Sequence, residues 1–355
     1  MMEKIPVMKP LLPKFQAVTK YLNLIDENRI YSNNGPLYQS LSERYAEMFK
    51  VPVNQVVLVA NATLAIQGAA FLMPVESFVV PTWTFPASIS GVLNGGKSVT
   101  LRDIEYTDWR IDLREIDPSD KIGVVDVLPF GQAIDLDKNS NWKYVIVDAA
   151  ASLGSNHFNL SALKEKWVVV FSLHATKVLG IGEGGIAVFG SVEEADKFRA
   201  WINFGFLGSR NSILPGINAK MPEVSAAYGL AVMEQKQIEI TDWTIANQSA
   251  RKISCDLEIN NITNNFDSVS PYWIVQLKSV STAQKVEERM SQSGIDSRRW
   301  WGHGCHQMPA FKPYATGNKY PIAEMLAGTT LGLPMFRDIK PLHFEIISEA
   351  LKDVL

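Results

Sequence analysis

The sequence predicts an α/β protein with one wound, mostly parallel sheet in a large domain, followed by a smaller α+β domain. Over the first 240 residues, short runs rich in Val, Ile and Phe alternate with stretches of helical periodicity, a pattern typical of strands joined by crossover helices. From about residue 240 the composition shifts towards Thr, Asn, Gln, Lys and Glu. We therefore expect an N-terminal segment and large domain over residues 1–240, and a small domain over residues 241–355.

The strand runs of the large domain lack polar alternation, as expected of strands that are covered on both faces. They are predicted at residues 56–60, 78–81, 98–102, 122–128, 144–147, 168–172 and 186–189. The first 30 residues are punctuated by proline and then mildly helical, so this segment is expected to lie across the surface. Further helices are predicted at residues 37–49, 64–71, 195–203 and 224–238.

The small domain is predicted to alternate helices and strands as well. The predicted order is a helix at 241–257, a strand at 272–277, a helix at 282–293, a strand at 297–301 and a last helix at 343–354. A loop rich in His, Gly and Pro precedes the last helix, and such residues mark irregular connections.

The composition is that of an ordinary globular protein, with 355 residues of which 46% are hydrophobic and 20% charged. The formal net charge of −3 provides no basic field, so nucleic-acid binding is not expected. No apolar stretch approaches the roughly 20 residues that a membrane helix requires. Because two cysteines are too few for a secreted disulfide framework, we expect a cytoplasmic protein without a membrane partner.

Lys177 follows the predicted strand 168–172 and is the first candidate for a functional side chain. In open α/β sheets the ligand crevice lies outside the carboxyl ends of the strands, so a lysine at this place can be a functional amine. The alternative is a solvated loop lysine, which is the commoner role, and Lys177 therefore needs support from other segments.

The glycines after Lys177 spell a G-x-G-x-x-G pattern, at Gly180, Gly182 and Gly185. A dinucleotide fingerprint opens a helix, whereas here the chain continues into the predicted strand 186–189. A phosphate-binding P-loop is excluded because no G-K-[ST] follows the glycines. These glycines are expected to allow a hairpin or a tight crossing close to a bulky group.

Polar or aromatic residues follow three other predicted strands. Ala62 and Thr63 begin a predicted helix directly after a strand, where free backbone amides and the helix dipole can hold an anion, although a simple N-cap by Asn61 or Thr63 is the alternative. Phe85 follows the strand 78–81 and could stack on a flat ring or belong to the core. Asp148 ends the strand 144–147 among small neighbours, so it is expected to be partly buried with a partner, or to be an N-cap.

Five segments taken together resemble one family. They are residues 33–37, 82–87, 148–154, 172–185 and 216–223, and the run Ser-Leu-His-Ala-Thr-Lys with its later Glu-Gly-Gly is the most specific of them. In order and spacing they are similar to the pyridoxal-phosphate-dependent sugar-nucleotide aminotransferases of the DegT/DnrJ/StrS type. The resemblance implies aspartate aminotransferase fold type I, in which the large domain is a three-layer α/β/α sandwich.

The resemblance also implies a cofactor, pyridoxal phosphate (PLP), with pyridoxamine phosphate as the intermediate form. Lys177 would form the Schiff base, for which the amine must lose its proton. Asp148 would pair with the pyridine nitrogen and keep it protonated. The remaining cofactor contacts implied are Ala62, Thr63 and Ser172 at the phosphate, Phe85 rather than Trp83 on the ring, and Asn218 reaching the phosphate of the neighbouring subunit. Such shared active sites imply a homodimer.

The implied reaction is transfer of an amino group from L-glutamate to a keto sugar linked to a nucleotide. The loop at residues 33–37 is similar to that of members that aminate C4 of a 4-keto-6-deoxy sugar, so a dTDP-linked acceptor in amino sugar biosynthesis for surface polysaccharides or antibiotics is expected. C3 amination, a UDP- or GDP-linked sugar, a cyclitol or aminobenzoate precursor and a non-catalytic regulator of the same fold remain alternatives. Lys177 argues against the related dehydratases, which carry histidine there.

Two positions depart from the family pattern. The glutamine or histidine that often touches the cofactor's ring hydroxyl, three residues after the aspartate, is here Ala151, so that contact must come from elsewhere or from water. The usual His-x-Tyr-Gly motif is replaced at residues 128–132 by Leu-Pro-Phe-Gly-Gln.

Candidate substrate residues are polar or basic and lie near the implied site. They are Asn34, Arg210, Arg298, His303 and His306, with Arg299 as a further candidate for the donor carboxylate or the diphosphate. The alternative for each arginine is a solvated face. A metal at His303, Cys305 and His306 is not expected, because a structural zinc requires four ligands.

Overall fold

The computed structural model describes residues 4–154, 158–265, 269–315 and 317–355. Within these ranges the large domain contains a seven-stranded sheet with the spatial order β1-β7-β6-β5-β4-β2-β3. Its strands are β1 (Val56–Val59), β2 (Ser77–Pro81), β3 (Ser98–Arg102), β4 (Ile122–Val127), β5 (Val145–Asp148), β6 (Trp167–Ser172) and β7 (Gly185–Phe189). The pairs from β3 to β6 are parallel, whereas β7 runs antiparallel to both of its neighbours. The predicted α/β class with a mostly parallel sheet is confirmed.

The described helices are numbered in chain order, and the first six of them lie on the two faces of this sheet. They are α1 (Phe15–Asn28), α2 (Pro36–Phe49), α3 (Ala62–Leu72), α4 (Pro86–Asn94), α5 (Val192–Trp201), α6 (Glu223–Asp256), α7 (Val280–Gln292), α8 (Pro321–Thr329) and α9 (Pro341–Lys352). Alternate residues of β1 enter two separate cores, since Val56 and Leu58 pack with α2 and α6, while Val57 and Val59 pack with α3. This alternation gives the three layers.

The C-terminal part has a smaller antiparallel sheet with the order β10-β9-β8. Its strands are β8 (Asn260–Asn261), β9 (Trp273–Gln276) and β10 (Thr330–Leu333). The strand predicted at 297–301 is wrong, because only Arg298 pairs there, in an isolated bridge to Gly332 of β10. The helices α4 and α8 and the strand β10 were not predicted.

The two helices predicted at 224–238 and 241–257 form one helix, α6. The polar residues that marked the composition shift do not interrupt it, because their side chains bond back to the preceding turn. Thr241 Oγ1 donates to the carbonyl of Gln237 at 2.8 Å, and Thr244 Oγ1 donates to that of Ile240 at 2.7 Å. The composition change at residue 240 therefore falls inside a helix, and a domain boundary there remains a prediction.

The start of α6 is tied to the start of α2 by a buried carboxylate. Glu223 is 1% exposed and accepts hydrogen bonds from the backbone N–H groups of Leu37 at 2.8 Å and Tyr38 at 3.0 Å. These are first-turn N–H groups, which have no acceptor inside their own helix. A negative charge at this end also complements the dipole of α2. Glu223 therefore caps a helix that begins almost two hundred residues earlier.

We expect Glu223→Ala to lower the free energy of unfolding by about 2–4 kcal/mol, because two buried N–H groups lose a charged acceptor. Chemical denaturation of the variant and the wild type checks this. The matched control is Asp256→Ala on the same helix, which removes a solvent-exposed pair with Lys252 and should cost less than about 1 kcal/mol. Equal losses in the two variants would show that Glu223 does not hold the helices together.

Candidate cofactor and substrate site

A cavity of about 490 Å³ lies at the carboxyl ends of the central strands. This is the edge at which an open α/β sheet binds ligands, because the loops that follow parallel strands meet there. The lining residues that the sequence singled out are Ala62, Thr63, Phe85, Asp148, Ala151, Ser172, Lys177 and Arg298. Aromatic side chains from three other segments also line the cavity. They are Phe130, Tyr272, and the neighbours Trp300 and Trp301.

Lys177 lies in the connection between β6 and β7. Its backbone N–H donates to the carbonyl of His174 at 2.9 Å, and its carbonyl accepts from the N–H of Gly180 at 3.0 Å. A Cβ on Gly180 would lie 2.5 Å from the His174 carbonyl oxygen, so only glycine permits this close approach. Because β6 and β7 are antiparallel neighbours, the hairpin interpretation of the glycines is confirmed.

The amine of Lys177 is held inside the cavity by a phenol. Its Nζ donates a hydrogen bond to the Tyr272 hydroxyl at 2.6 Å and lies 5.2 Å from the centre of that ring. Tyr272 is 8% exposed. The side chain of Lys177 is thus half-buried and borders the cavity together with this phenol.

Asp148 is a buried carboxylate, 6% exposed, at the end of β5. Ser88 Oγ of α4 donates to its Oδ2 at 2.6 Å, and the N–H of Ala150 donates to its Oδ1 at 3.2 Å. Burial raises the pKa of the Asp148 carboxyl, while these two donors and the charge of Lys177 act in the opposite direction. A buried carboxylate with neutral donors is suited to a cationic N–H group from a ligand.

The N-terminus of α3 borders the cavity. Asn61 is the N-cap, since its side chain accepts from the N–H of Leu64 at 3.0 Å, which leaves the amides of Ala62 and Thr63 at the first turn. A Cβ on Gly185 of β7 would lie 2.7 Å from the Ala62 nitrogen. Glycine therefore allows β7 to run beside this turn. Ser172 at the end of β6 borders the same cavity, and anion binding by these groups remains a prediction.

The two aromatic residues after β2 differ in their exposure. Phe85 is 61% exposed, whereas Trp83 is 1% exposed and packs edge to face against Trp301 at 5.4 Å between ring centroids. Phe85 lines the cavity, and Trp83 is not among the residues that do. Phe85 is therefore free to cover a flat ligand, and its stacking on the cofactor ring remains a prediction.

Most of the candidate residues for the substrate, and Asn218, do not line this cavity. Arg298 lines it and lies 4.8 Å from the Trp300 ring. Asn218, Arg210 and His303 are exposed elsewhere. Asn34 is half-buried, and its Oδ1 finds no hydrogen-bond partner among the described residues.

His306 and Arg299 have structural partners. His306 is 4% exposed, its Nδ1 lies 2.8 Å from Thr82 Oγ1, and its ring stacks on Tyr320 at 4.4 Å. Burial lowers the pKa of this imidazole. Arg299 pairs with Glu287 at 2.8 Å and donates to the carbonyl of Gly328 at 3.0 Å. Neither side chain borders the cavity.

The sequence did not reveal the hydrogen-bond partners of Asp148 and Lys177. Ser88 and Tyr272 are 60 and 95 residues away from Asp148 and Lys177 in the chain, so no local pattern joins them. The one available signal for Ser88 was Pro86, which suits the first turn of a helix at that strand end. In the described ranges, no three His, Cys, Asp or Glu side chains gather as metal ligands, and no helix is long and apolar enough to cross a membrane.

A comparison with protein families identifies the family to which the chain belongs. The profile of the DegT/DnrJ/EryC1/StrS aminotransferase family matches residues 15–352. The chain belongs to this family. It is a PLP-dependent aminotransferase of fold type I, as the five sequence segments indicated. The cavity fits the cofactor, because it presents an amine, a buried carboxylate and a helix N-terminus at one opening.

Similar proteins include named transaminases of nucleotide sugars. The chain is 34% identical over 282 residues to dTDP-4-amino-4,6-dideoxy-D-glucose transaminase of Shigella dysenteriae, covering 71% of this chain and 76% of that protein. It is 24% identical over 369 residues to GDP-perosamine synthase of Escherichia coli O157:H7, covering 99% of both. The fold matches the crystal structure of DesI in the presence of its TDP-sugar product with a TM-score of 0.86, at 24% identity over 99% of this chain and 93% of that one.

We expect Asp148→Asn to stabilise the cofactor-free protein at neutral pH. Burial raises the pKa of the Asp148 carboxyl. The carboxyl therefore contributes fully to stability at a pH below the ordinary pKa of aspartate, and this contribution is lost as the pH rises through the raised pKa. Thermal unfolding of both cofactor-free proteins from about pH 4 to pH 8 checks this.

The control for this prediction is Asp26→Asn, which changes an exposed carboxylate of α1 and should not reproduce the effect. The stability gain of Asp148→Asn should grow with pH and be smallest at the acidic end. A variant that is less stable than the wild type at pH 8 would contradict the burial argument.

Proposed function

We propose that the protein transfers the amino group of L-glutamate to C4 of a dTDP-linked 4-keto-6-deoxyhexose. The observation that carries this proposal is the convergence of Lys177 and Asp148 on one cavity, at the edge of the sheet where the N-terminus of α3 also opens. The relative from Shigella dysenteriae, which is named for the amino sugar of this type, supports the choice of acceptor.

The residues of this chain divide the work of the cofactor site. When bound, PLP supplies an electron sink for the carbon that loses a proton. Asp148 would hold the pyridine nitrogen in its protonated form, because the buried carboxylate is stabilised by a cation. Lys177 would attach the cofactor through Nζ and then move the proton between donor carbon and cofactor carbon. Ala62, Thr63 and Ser172 would hold the phosphate.

The outer part of the cavity supports a large acceptor with a ring and an anionic group. Trp300 and Trp301 present apolar faces, which suit the apolar face and methyl group of a deoxy sugar. Arg298 lies at the same wall and can bind a diphosphate or the carboxylate of glutamate through its guanidinium fork. A GDP-linked sugar is the alternative acceptor, since another relative is named GDP-perosamine synthase, and C3 amination is a further alternative.

We further propose a homodimer in which Asn218 completes the active site of the partner subunit. Asn218 bridges to Asn203 and closes a loop that exposes apolar side chains. The exposed fractions are 48% for Phe204, 42% for Leu207 and 61% for Ile213. Such a patch favours burial against a second chain. Arg210, on the same loop, would then lie near the partner's substrate.

The cytoplasm is the compartment that suits this proposal. Cys255 and Cys305 are both free thiols, the first exposed and the second buried. Unpaired cysteines are typical of a reducing environment. The amino sugar produced would serve the assembly of a surface polysaccharide or an antibiotic.

The test of the acceptor is a panel of nucleotide-linked keto sugars. Purified protein, PLP and L-glutamate are incubated with dTDP-, UDP- and GDP-linked 4-keto and 3-keto sugars, and the aminated carbon is located by NMR. We expect nitrogen at C4 of the dTDP-linked sugar. If nitrogen is found only on another sugar, that sugar is the acceptor instead. The absence of any aminated product would refute the proposal.

Lys177→Ala is expected to lower turnover by a factor on the order of 10³ or more, since the group that moves the proton is absent. The measurement is glutamate-dependent amination under saturating cofactor. Lys252→Ala is the matched control, because Lys252 is exposed on α6, pairs with Asp256 at 2.6 Å and does not line the cavity. Normal turnover in Lys177→Ala would exclude this lysine as the catalytic amine.

Shared active sites predict complementation between two inactive variants. A hybrid of Lys177→Ala and Asn218→Asp chains contains one intact site, so random mixing should restore roughly a quarter of the wild-type activity. The measurement is activity after co-refolding or co-expression of the two variants. Activity that stays at the level of the separate variants would show that Asn218 does not act across a subunit interface.

A further inference from the structure

Tyr272 is the one described side chain that forms a hydrogen bond with Lys177. Its hydroxyl accepts from Nζ at 2.6 Å, and its ring lines the same cavity as Asp148 and Ala151. It precedes β9, whereas Lys177, Asp148 and Ala151 all come from the loops of the larger sheet. The wall of the cavity therefore carries a phenol that comes from outside that sheet.

The position of this phenol is fixed by a buried network. The N–H of Tyr272 donates to Ser270 Oγ at 3.0 Å, and Ser270 Oγ donates to the carbonyl of Phe130 at 2.6 Å. Asn247 of α6 holds Ser270 from the other side, with Oδ1 accepting from its N–H and Nδ2 donating to its carbonyl, both at 3.0 Å. These bonds fix the backbone from which the Tyr272 ring extends.

Aromatic rings hold the Tyr272 ring on two sides. It meets Phe130 edge to face at 5.4 Å and Trp300 edge to face at 5.0 Å between ring centroids. These contacts involve the ring and leave the hydroxyl directed to Lys177. A phenylalanine at this position would keep them and remove only the hydroxyl.

The proton of the Tyr272 hydroxyl has no acceptor among the described residues. The hydroxyl oxygen accepts from the Lys177 ammonium, so its own O–H remains available for donation. The phenolic oxygen of PLP lies next to the carbon to which the lysine nitrogen becomes attached. A hydroxyl within hydrogen-bond distance of Nζ is therefore within reach of that oxygen.

Ala151 has no group for this contact. It borders the same cavity, three residues after Asp148, but a methyl group cannot donate a hydrogen bond. We propose that the Tyr272 hydroxyl donates a hydrogen bond to the phenolic oxygen of bound PLP and takes the place of the side chain that Ala151 lacks. The inference rests on the cofactor roles of Lys177 and Asp148 under the proposed function, and it is independent of the acceptor sugar.

This contact has an electrostatic consequence. A donor to the phenolic oxygen stabilises negative charge there and weakens the attraction of that oxygen for a proton on the neighbouring nitrogen. The lysine-linked nitrogen then releases its proton at a lower pH. The visible absorption of bound PLP changes with this proton, so the effect can be read without any substrate.

The experiment is a pH titration of the visible spectrum of the PLP-bound protein, comparing the wild type with Tyr272→Phe. We expect the midpoint to rise by about one pH unit, as follows from the loss of a hydrogen bond to a charged oxygen. Tyr45→Phe is the control, because it removes a buried hydroxyl that lacks a partner in the described part of the chain. Its midpoint should equal that of the wild type.

A second variant separates the hydrogen bond from packing. Tyr272→Phe with Ala151→Gln supplies a donor from the other side and should return the midpoint towards the wild-type value. The remaining titratable groups of the cavity, His174, Glu183 and Arg298 with Asp148, are identical in all variants. A change of midpoint therefore reports the donor.

Three outcomes decide the matter. An unchanged midpoint in Tyr272→Phe overturns the inference. If Tyr272→Phe fails to retain PLP, retention by the double variant supports the inference, and failure of the double variant as well overturns it. If the wild type forms the visible band but aminates no sugar, the proposed acceptor fails while the assignment of Tyr272 stands.

Discussion

The site depends on one buried carboxylate. Asp148 is enclosed at the end of β5, its hydrogen bonds come from Ser88 and a backbone N–H, and burial raises its pKa. An arrangement of this kind costs stability in the empty protein and becomes favourable when a ligand brings a positive N–H group. The position of Lys177 follows from the same sheet, because β5 and β6 are parallel neighbours that end at one edge. Cofactor binding and the stability of the empty fold are therefore opposing demands on a single side chain.

Local sequence patterns predicted the parts of the fold that are locally determined. All seven strands of the large sheet and the turn at the start of α3 lie where apolar runs and helix signals put them, and Lys177 and Asp148 could be found from their places after strands. Ser88 and Tyr272 could not, because each meets its partner only through tertiary packing. The strand β10 was missed since Thr330 to Leu333 contains a glycine, and α6 was divided because threonine suggests an interruption that its back-bonding avoids. The sequence thus singled out Lys177 and Asp148 but not the side chains that bond to them.

The two departures from the family pattern lie in the same wall of the cavity. Where a glutamine or histidine and a tyrosine are usual, this chain has Ala151 and Phe130, and both line the cavity. Phe130 stacks on Trp301 at 4.5 Å and meets Tyr272 edge to face, so this part of the cavity wall is apolar. The hydroxyl of Tyr272 adds a polar group to it. A change at Phe130 would remove one of the two ring contacts that hold this hydroxyl in place.

The long helix α6 stiffens the molecule along its length. Its 34 residues correspond to about 50 Å of continuous rod. Glu223 at one end anchors the rod to α2, and further along Asn247 anchors it to the segment that carries Tyr272. A rod without a break transmits displacement along its length and has no hinge at which its two halves could turn independently. The start of α2 and the segment that carries Tyr272 are therefore held at a fixed spacing, although α2 packs on the larger sheet and Tyr272 precedes a strand of the smaller one.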